Sequence, residues 1–291
     1  TSTRSRISAY ARTSTRARAS TYTRGRVSAY TRTSTRDSLV VSTSGGGARY
    51  SDQSNLLWQN FPEWTVGTGS ATNYPQNGET ACNSRLVDAS PKGQDIVWQS
   101  LNNDTASNDD GGWSTNDFAI DHTKLYRYSV WVRRKVIGNG HFYFGSYSFN
   151  SGGTNLGLNY RSSGANTTNP YFEVNANWSE WGTGGNVDEW FLVVAHVWPS
   201  GSGTGANKAE SGIYNMAGEK IDTLEYDFVW PSSAAVKSRH RTYLYYSTTP
   251  ATNQQWWEPR VDDMTHSLVP TVANMIAQSG SYTRTFAGNF V

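Results

Sequence analysis

The side chains best placed to do chemistry in this chain are aromatic. It holds 12 Trp, 17 Tyr and 10 Phe, yet its apolar fraction is only 36%. Sugars stack their C–H faces on exposed rings while Asn, Asp, Arg and Gln meet their hydroxyls, so surplus aromatics among polar residues fit glycan binding. In Asn177-Trp178-Ser179-Glu180-Trp181-Gly182, Trp178 and Trp181 sit in a loop-like context. Trp256 and Trp257 are adjacent, so in a strand one of them must face away from the core. These four are the glycan-binding candidates. Packing in a core or an interface is the competing role for each.

Other chemistry is thinly represented. Asn108-Asp109-Asp110-Gly111 gathers oxygen donors in an expected loop. With Asp104 or Asp121, Asp109 and Asp110 could hold Ca²⁺, which takes six to eight oxygens. The spacing is not that of an EF-hand, and an Asx-rich turn is the simpler account. The chain has no H-E-x-x-H, G-x-S-x-G or P-loop. Its five His are scattered, and His141 with Tyr143 on one strand face is the sole hint of a lyase-type pair. The chain is therefore expected not to be an enzyme. A polysaccharide-degrading activity is the remaining catalytic alternative, because paired carboxylates carry no sequence signature. One cysteine, Cys82, excludes an intrachain disulfide framework and a multi-Cys zinc site. No apolar run approaches the 18 residues of a membrane span.

The strongest pattern lies at the front. From residue 1 to 36 every even position is Ser, Arg or Tyr, and every odd position is small or β-branched. A period of two is that of an extended strand with one residue class per face. The even positions spell Ser-Arg-Arg-Ser-Tyr-Arg from Ser2 to Arg12 and again from Ser14 to Arg24, a twelve-residue repeat built of tetrapeptides. Such repeats build fibres. Fully extended, the segment would span on the order of 120 Å, far more than an ordinary strand. Its backbone then needs other chains wound with it, a neighbouring subunit to lie along, or O-linked sugars on its Ser and Thr. The even-face Arg4, Arg6, Tyr10, Arg12, Arg16, Arg18, Tyr22, Arg24, Arg26, Tyr30, Arg32 and Arg36 are the expected assembly contacts. The odd-face Thr1, Thr3, Thr13, Thr15, Thr21, Thr23, Thr31, Thr33 and Thr35 are the expected glycan-modification sites. This segment holds nine of the 25 basic residues and no acid, leaving 16 bases against all 23 acids in the remainder. A basic arm on an acidic body favours docking on a neighbouring copy or an anionic surface. Nucleic-acid binding is a poor second, because the spacing of Ser and Thr is too regular for a counterion-releasing tail.

These signals divide the chain into an arm (1–36), a Gly/Ser-rich linker (37–49), a sandwich (50–278) and a return to the repeat (279–291). Short strands are expected at 56–58, 64–66, 95–101, 126–136, 141–149, 169–174, 190–198, 212–215, 226–230 and 241–247. Turn chemistry such as Gly138-Asn139-Gly140 and Ser151-Gly152-Gly153 separates several of them. Eight or more short strands predict an all-β jelly-roll sandwich, with 269–278 the one helical stretch. Ser281-Tyr282-Thr283-Arg284-Thr285 repeats residues 29–33 in all but its first residue. The chain is accordingly expected to continue past Val291.

The phrases TSTR, AYTRTSTR and YTRTFAGNF resemble repeat segments in tail-fibre and other virion proteins of aquatic tailed phages. Their tetrapeptide rhythm is also similar to that of sugar-coated linear fibrils of fresh water. Lys124-Leu125-Tyr126-Arg127-Tyr128-Ser129-Val130-Trp131-Val132-Arg133 resembles the central strand of carbohydrate-binding jelly rolls. The likeness implies a structural subunit of an extracellular or virion fibre that assembles with copies of itself and displays a carbohydrate-binding-like sandwich. The alternative is a receptor- or glycan-binding module of a phage tail fibre, with a polysaccharide or cell-surface glycan as partner. Covalent O-linked glycans and Ca²⁺ are the only non-protein groups expected.

Overall fold

The computed structural model describes residues 54–57, 64–136, 138–176 and 187–277. The arm, the linker and the C-terminal return lie outside the described residues, and with them every arm Arg, Tyr and Thr named above. Trp178 and Trp181 lie outside them too.

The described chain is almost entirely strand. In order it forms β1 (Gly67–Thr68), β2 (Asn83–Ser90), β3 (Gly93–Leu101), β4 (Asp109–Ser114), β5 (Phe118–Ala119), β6 (Tyr126–Val136), β7 (His141–Phe149) and β8 (Leu158–Tyr160). There follow β9 (Asn166–Thr167), β10 (Tyr171–Ala176), β11 (Trp190–Trp198), β12 (Gly212–Tyr214), β13 (Lys220–Asp222), β14 (Phe228–Val229), β15 (Lys237–Tyr245) and β16 (Asn253–Asp263), then helix α1 (Val272–Ala277). The larger sheet runs β1-β2-β3-β16-β6-β11-β14-β8-β9, with β12 and β13 branching from β11. The smaller runs β10-β7-β15-β4, with β5 also on β15. Among these pairs only β11 with β14 is parallel. The expected all-β jelly-roll sandwich is what forms.

β6 and β7 are joined by Gly138-Asn139-Gly140 yet belong to different sheets, so the chain crosses from one layer to the other there. Between the layers, Trp98, Val130, Val132 and Trp256 of the larger sheet meet Trp113, Phe142, Phe144 and Leu244 of the smaller. A second core lies on the outside of the larger sheet. There Val97, Trp131, Leu192, Val194 and Trp257 are covered by Val272, Met275 and Ile276 of α1. Burying both faces of central strands requires them to be apolar on both, and β11 (WFLVVAHVW) meets that demand.

Charge is also buried. Asp262, fully enclosed, accepts from Arg127 Nη2 at 2.8 Å, from Arg260 Nη2 at 2.7 Å and from Ser54 Oγ at 2.8 Å. Burial pushes its carboxyl up, but the Arg260 and Arg127 charges outweigh that and hold it at about 2. Such a group contributes little net stability when complete and costs heavily when broken.

Strands at 126–136, 141–149 and 190–198 fall where the sequence places them. Others differ. Leu56 and Leu57 form a helical turn, and β1 begins at Gly67, after the expected 64–66. The strand expected at 241–247 starts four residues earlier, at Lys237. β2, β4 and β16 were not expected, and the loop assigned to Asp109-Asp110-Gly111 is the first half of β4.

Candidate functional site: the tyrosine face of the smaller sheet

The two sheets treat their outer faces differently. The centre of the larger sheet's is covered by α1, whereas the smaller sheet's carries a continuous field of tyrosines, most of them half-buried. Strand parity places them. On β15 the outward residues are Lys237, Arg239, Arg241, Tyr243 and Tyr245, opposite Phe149, Tyr147, Gly145, Tyr143 and His141 of β7. The inward residues, among them Phe142, Phe144, His240 and Leu244, pack the core. Tyr171 of β10 lies opposite Gly145 and completes the field on one side.

An arginine anchors it. The Arg241 guanidinium lies 3.8 Å from the ring centroid of Tyr147 and 3.9 Å from that of Tyr171. It donates from Nη1 to Asn169 Oδ1 at 2.9 Å and to Tyr171 Oη at 3.0 Å, and from Nη2 to the Pro170 carbonyl at 2.7 Å. Only 1% of Arg241 is exposed, so it fixes rings and does not itself reach out. Gly145 makes room for this stack: a Cβ there would lie 2.7 Å from Tyr171 Cδ1 and 2.6 Å from the Pro170 oxygen. Beside it Gly112, with φ +121°, lets β4 approach β15, since a Cβ would fall 2.3 Å from the Thr242 oxygen.

Beyond Arg241 the rings meet edge to face. Tyr143 lies 4.7 Å from Tyr171 at 66° and 5.2 Å from Tyr245 at 90°. Tyr246 closes the far end in a left-handed conformation, φ 63°, with 47% of its surface exposed and its ring 5.5 Å from that of Tyr245. His141 stacks on Tyr143 at 6.1 Å, so the pair read from sequence does share one face. Burial, then the Tyr246 and Tyr245 hydroxyls, push Tyr143 up to about 12. Its phenol is therefore a neutral donor at ordinary pH. Tyr245 Oη already donates to Asn77 Oδ1 at 3.3 Å, and Tyr147 Oη to Asn169 Oδ1 at 3.3 Å. Apolar ring faces edged by hydroxyls and amides suit a polyhydroxylated ligand.

Two sets of sequence candidates are corrected. Trp256 is 0% exposed and belongs to the core between the sheets; Trp257, 2% exposed, belongs to the core beneath α1. They do face opposite ways, but the second face is covered, so neither offers a ring to a sugar. Asp109 pairs with Tyr245 of β15, while Asp110 is the extra residue of a bulge in β4. Asp109 is exposed, whereas Asp110 is buried and accepts from the Ser247 N–H at 2.7 Å. Burial drives the Asp110 carboxyl up to about 7 against that hydrogen bond, with Asp104 and Asp109 adding to the rise. Among the described residues no group of three or more His, Cys, Asp or Glu is placed to hold a metal ion.

Sequence parity points to His141 and Tyr143, whereas Tyr147, Tyr171, Tyr243, Tyr245 and Arg241 come together only in the fold. The signal was present as alternation, aromatic at 143 and 147 and again at 243 and 245.

No family model and no curated protein matches the chain. Solved structures do, at low identity. A C-terminal family 22 carbohydrate-binding module of Clostridium thermocellum Xyn10B is 12% identical over 71% of this chain and 94% of its own, at a TM-score of 0.34. A glycoside hydrolase family 131 β-glucanase catalytic domain from Podospora anserina is 14% identical over 71% of this chain and 86% of its own, also at 0.34. The N-terminal carbohydrate-binding and xylanase modules of C. thermocellum Xyn10B, complexed with xylohexaose, are matched at 10% identity and a TM-score of 0.36. The match covers 66% of this chain but only 26% of that one. At these identities and TM-scores no residue, ligand or role is carried across to this chain.

Proposed function

We propose that the sandwich is a glycan-binding module whose ligand surface is the tyrosine face of the smaller sheet. The observation that carries this reading is the contrast between the two outer faces. An apolar strip sealed by α1 serves packing, while rings locked in place by Arg241 and left half-exposed serve a ligand. Rigid, partly exposed tyrosines give contact area at low entropic cost. The test is binding of the full chain to a panel of soluble polysaccharides by affinity electrophoresis and calorimetry. Retardation by at least one polymer, relieved by Tyr143→Ala, is expected. No retardation by any polymer overturns the reading.

A second reading concerns the whole chain and is supported by the two-residue alternation of residues 1–36 and its return at 281–285. In it the arm assembles copies of the chain into an extracellular or virion fibre, through its even-face Arg and Tyr, with the odd-face threonines carrying O-linked sugars. Cryo-EM of the native material tests this. A continuous helical particle with each arm running onto the next subunit is expected. Discrete particles without such an arm contact overturn it.

A further inference from the structure

The outward row of β15 is polarised along its length. It reads Lys237, Arg239, Arg241, Tyr243, Tyr245 at alternate positions, about 26 Å from end to end at roughly 3.3 Å per residue. Cations occupy one half and rings the other.

The cations differ in how far they are committed. Arg241 is consumed by Asn169, Tyr171 and Pro170. Arg239 lies over the Phe149 ring at 4.7 Å and donates from Nε to Asp117 Oδ1 at 2.6 Å. Among the described residues its two terminal nitrogens have no hydrogen-bond partner, and its side chain is 38% exposed. A guanidinium held by its Nε and stacked on a ring presents its remaining N–H groups in a fixed plane, the geometry that matches a carboxylate or a sulfate. Lys237 makes a single long contact, 3.4 Å to the Ser151 carbonyl.

The acids are arranged the other way. Asp117 offsets the charge of Arg239, but among the described residues no carboxylate pairs with Lys237 or with the enclosed Arg241. Among the described residues an exposed acid, Asp109, stands opposite Tyr245 at the aromatic end. Uncompensated charge beside a low-dielectric surface projects its field outward.

Resting on the glycan-binding reading above, we propose that this face selects acidic polysaccharides, seating the carboxylate or sulfate groups on Lys237 and Arg239 and the sugar rings on Tyr143 and Tyr245. Two charge-assisted contacts are enough to separate an acidic polymer from its neutral counterpart by about tenfold or more at low salt. The preference falls as salt rises, because both cations are solvent-accessible.

The experiment compares the full chain on matched pairs: polygalacturonate with its full methyl ester, and dextran sulfate with dextran, together with neutral xylan and β-glucan. Tighter binding to the acidic member of at least one pair is expected, weakened by added NaCl. The double variant Lys237→Gln, Arg239→Gln should lose that preference with its melting temperature nearly unchanged, whereas Tyr143→Ala should weaken binding to both members. Equal binding within both pairs, or a preference that survives the double variant, overturns the proposal and leaves the glycan-binding reading standing. Failure to bind any polymer, acidic or neutral, overturns both.

Discussion

Trp256 and Trp257 are neighbours in sequence and yet belong to separate cores. Trp256 packs between the sheets with Trp98; Trp257 lies under α1, where its Nε1 donates to Asp95 Oδ2 at 3.1 Å and Lys92 Nζ sits 5.0 Å above its ring. Strand β16 thus ties the sandwich interior to the helical cap through two consecutive side chains.

Truncating either indole should therefore cost stability and leave recognition alone. Trp256→Ala and Trp257→Ala are each expected to lose about 3–5 kcal/mol, read from urea denaturation. Trp257→Phe should lose less, since it gives up the Asp95 hydrogen bond but keeps most of the packing. A variant that stayed fully stable but lost glycan binding would contradict the buried placement.

The tyrosine face should behave in the opposite way. Tyr143→Ala and Tyr245→Ala remove half-exposed rings, so melting temperatures should shift little while polysaccharide affinity falls roughly tenfold, near 1–1.5 kcal/mol for a lost stacking contact. Tyr243, 6% exposed, is the internal control. Its truncation should lower the melting temperature clearly.

Arg241→Lys is formally conservative but should not act so. A lysine cannot place a planar group between Tyr147 and Tyr171 while also reaching Asn169 and Pro170. A loss of about 1–3 kcal/mol is expected, with a changed near-ultraviolet dichroism from released tyrosines. An unchanged spectrum would show that the rings are held without the guanidinium.

Buried titratable groups pull the pH dependence of stability in opposite directions. Asp110 and Glu173 are raised by burial from 3.8 and 4.5 to about 7 each. At these two sites the native state binds more protons than the unfolded one, so their contribution is lost as pH rises from about 4 to about 7. His240, pushed down by burial to about 3, and His196, also lowered by burial, instead add stability over much of the same range. Asp262 and Asp88 likewise oppose Asp110 and Glu173. Both are held at about 2, Asp262 by Arg260 and Arg127, Asp88 by hydrogen bonds from Gln255 and the Ala89 N–H, each against a burial effect that raises it. Their contribution is lost as pH falls from about 4 towards 2. Asp110→Asn should remove that site's loss between pH 4 and 7 and raise the melting temperature at pH 8, since the amide oxygen still accepts from Ser247. A slope identical to wild type would show that Asp110 does not titrate in that range.

How legible the fold was varied from strand to strand. β6, β7 and β11 declare themselves because apolar and aromatic residues crowd between strong turn signals. β4 hides because Gly111 and Gly112 read as a turn. Both occupy positive-φ backbone inside a strand, where β15 comes too close at Gly112 for a Cβ. β16 hides because Gln254, Gln255, Pro259 and Arg260 look like loop residues. Some of their partners lie far away in sequence: Gln255 donates to Asp88 and Gln99 from more than 150 residues distant.

The site divides along the same line. By itself the sequence determined parity: that Tyr143 and Tyr147 share one side of a strand, that Tyr243 and Tyr245 share one side of another, and that Trp256 and Trp257 point opposite ways. Parity is local, because successive Cβ atoms alternate whatever the strand packs against. Which side would be covered was decided only in the tertiary structure. There α1 closes over Trp257, and the larger sheet takes the inward face of β7 and β15. The register of β15 on β7 brings Arg241 opposite Gly145, where it meets Tyr147 and Tyr171, because burial is a property of the neighbours a face acquires and not of the strand that carries it.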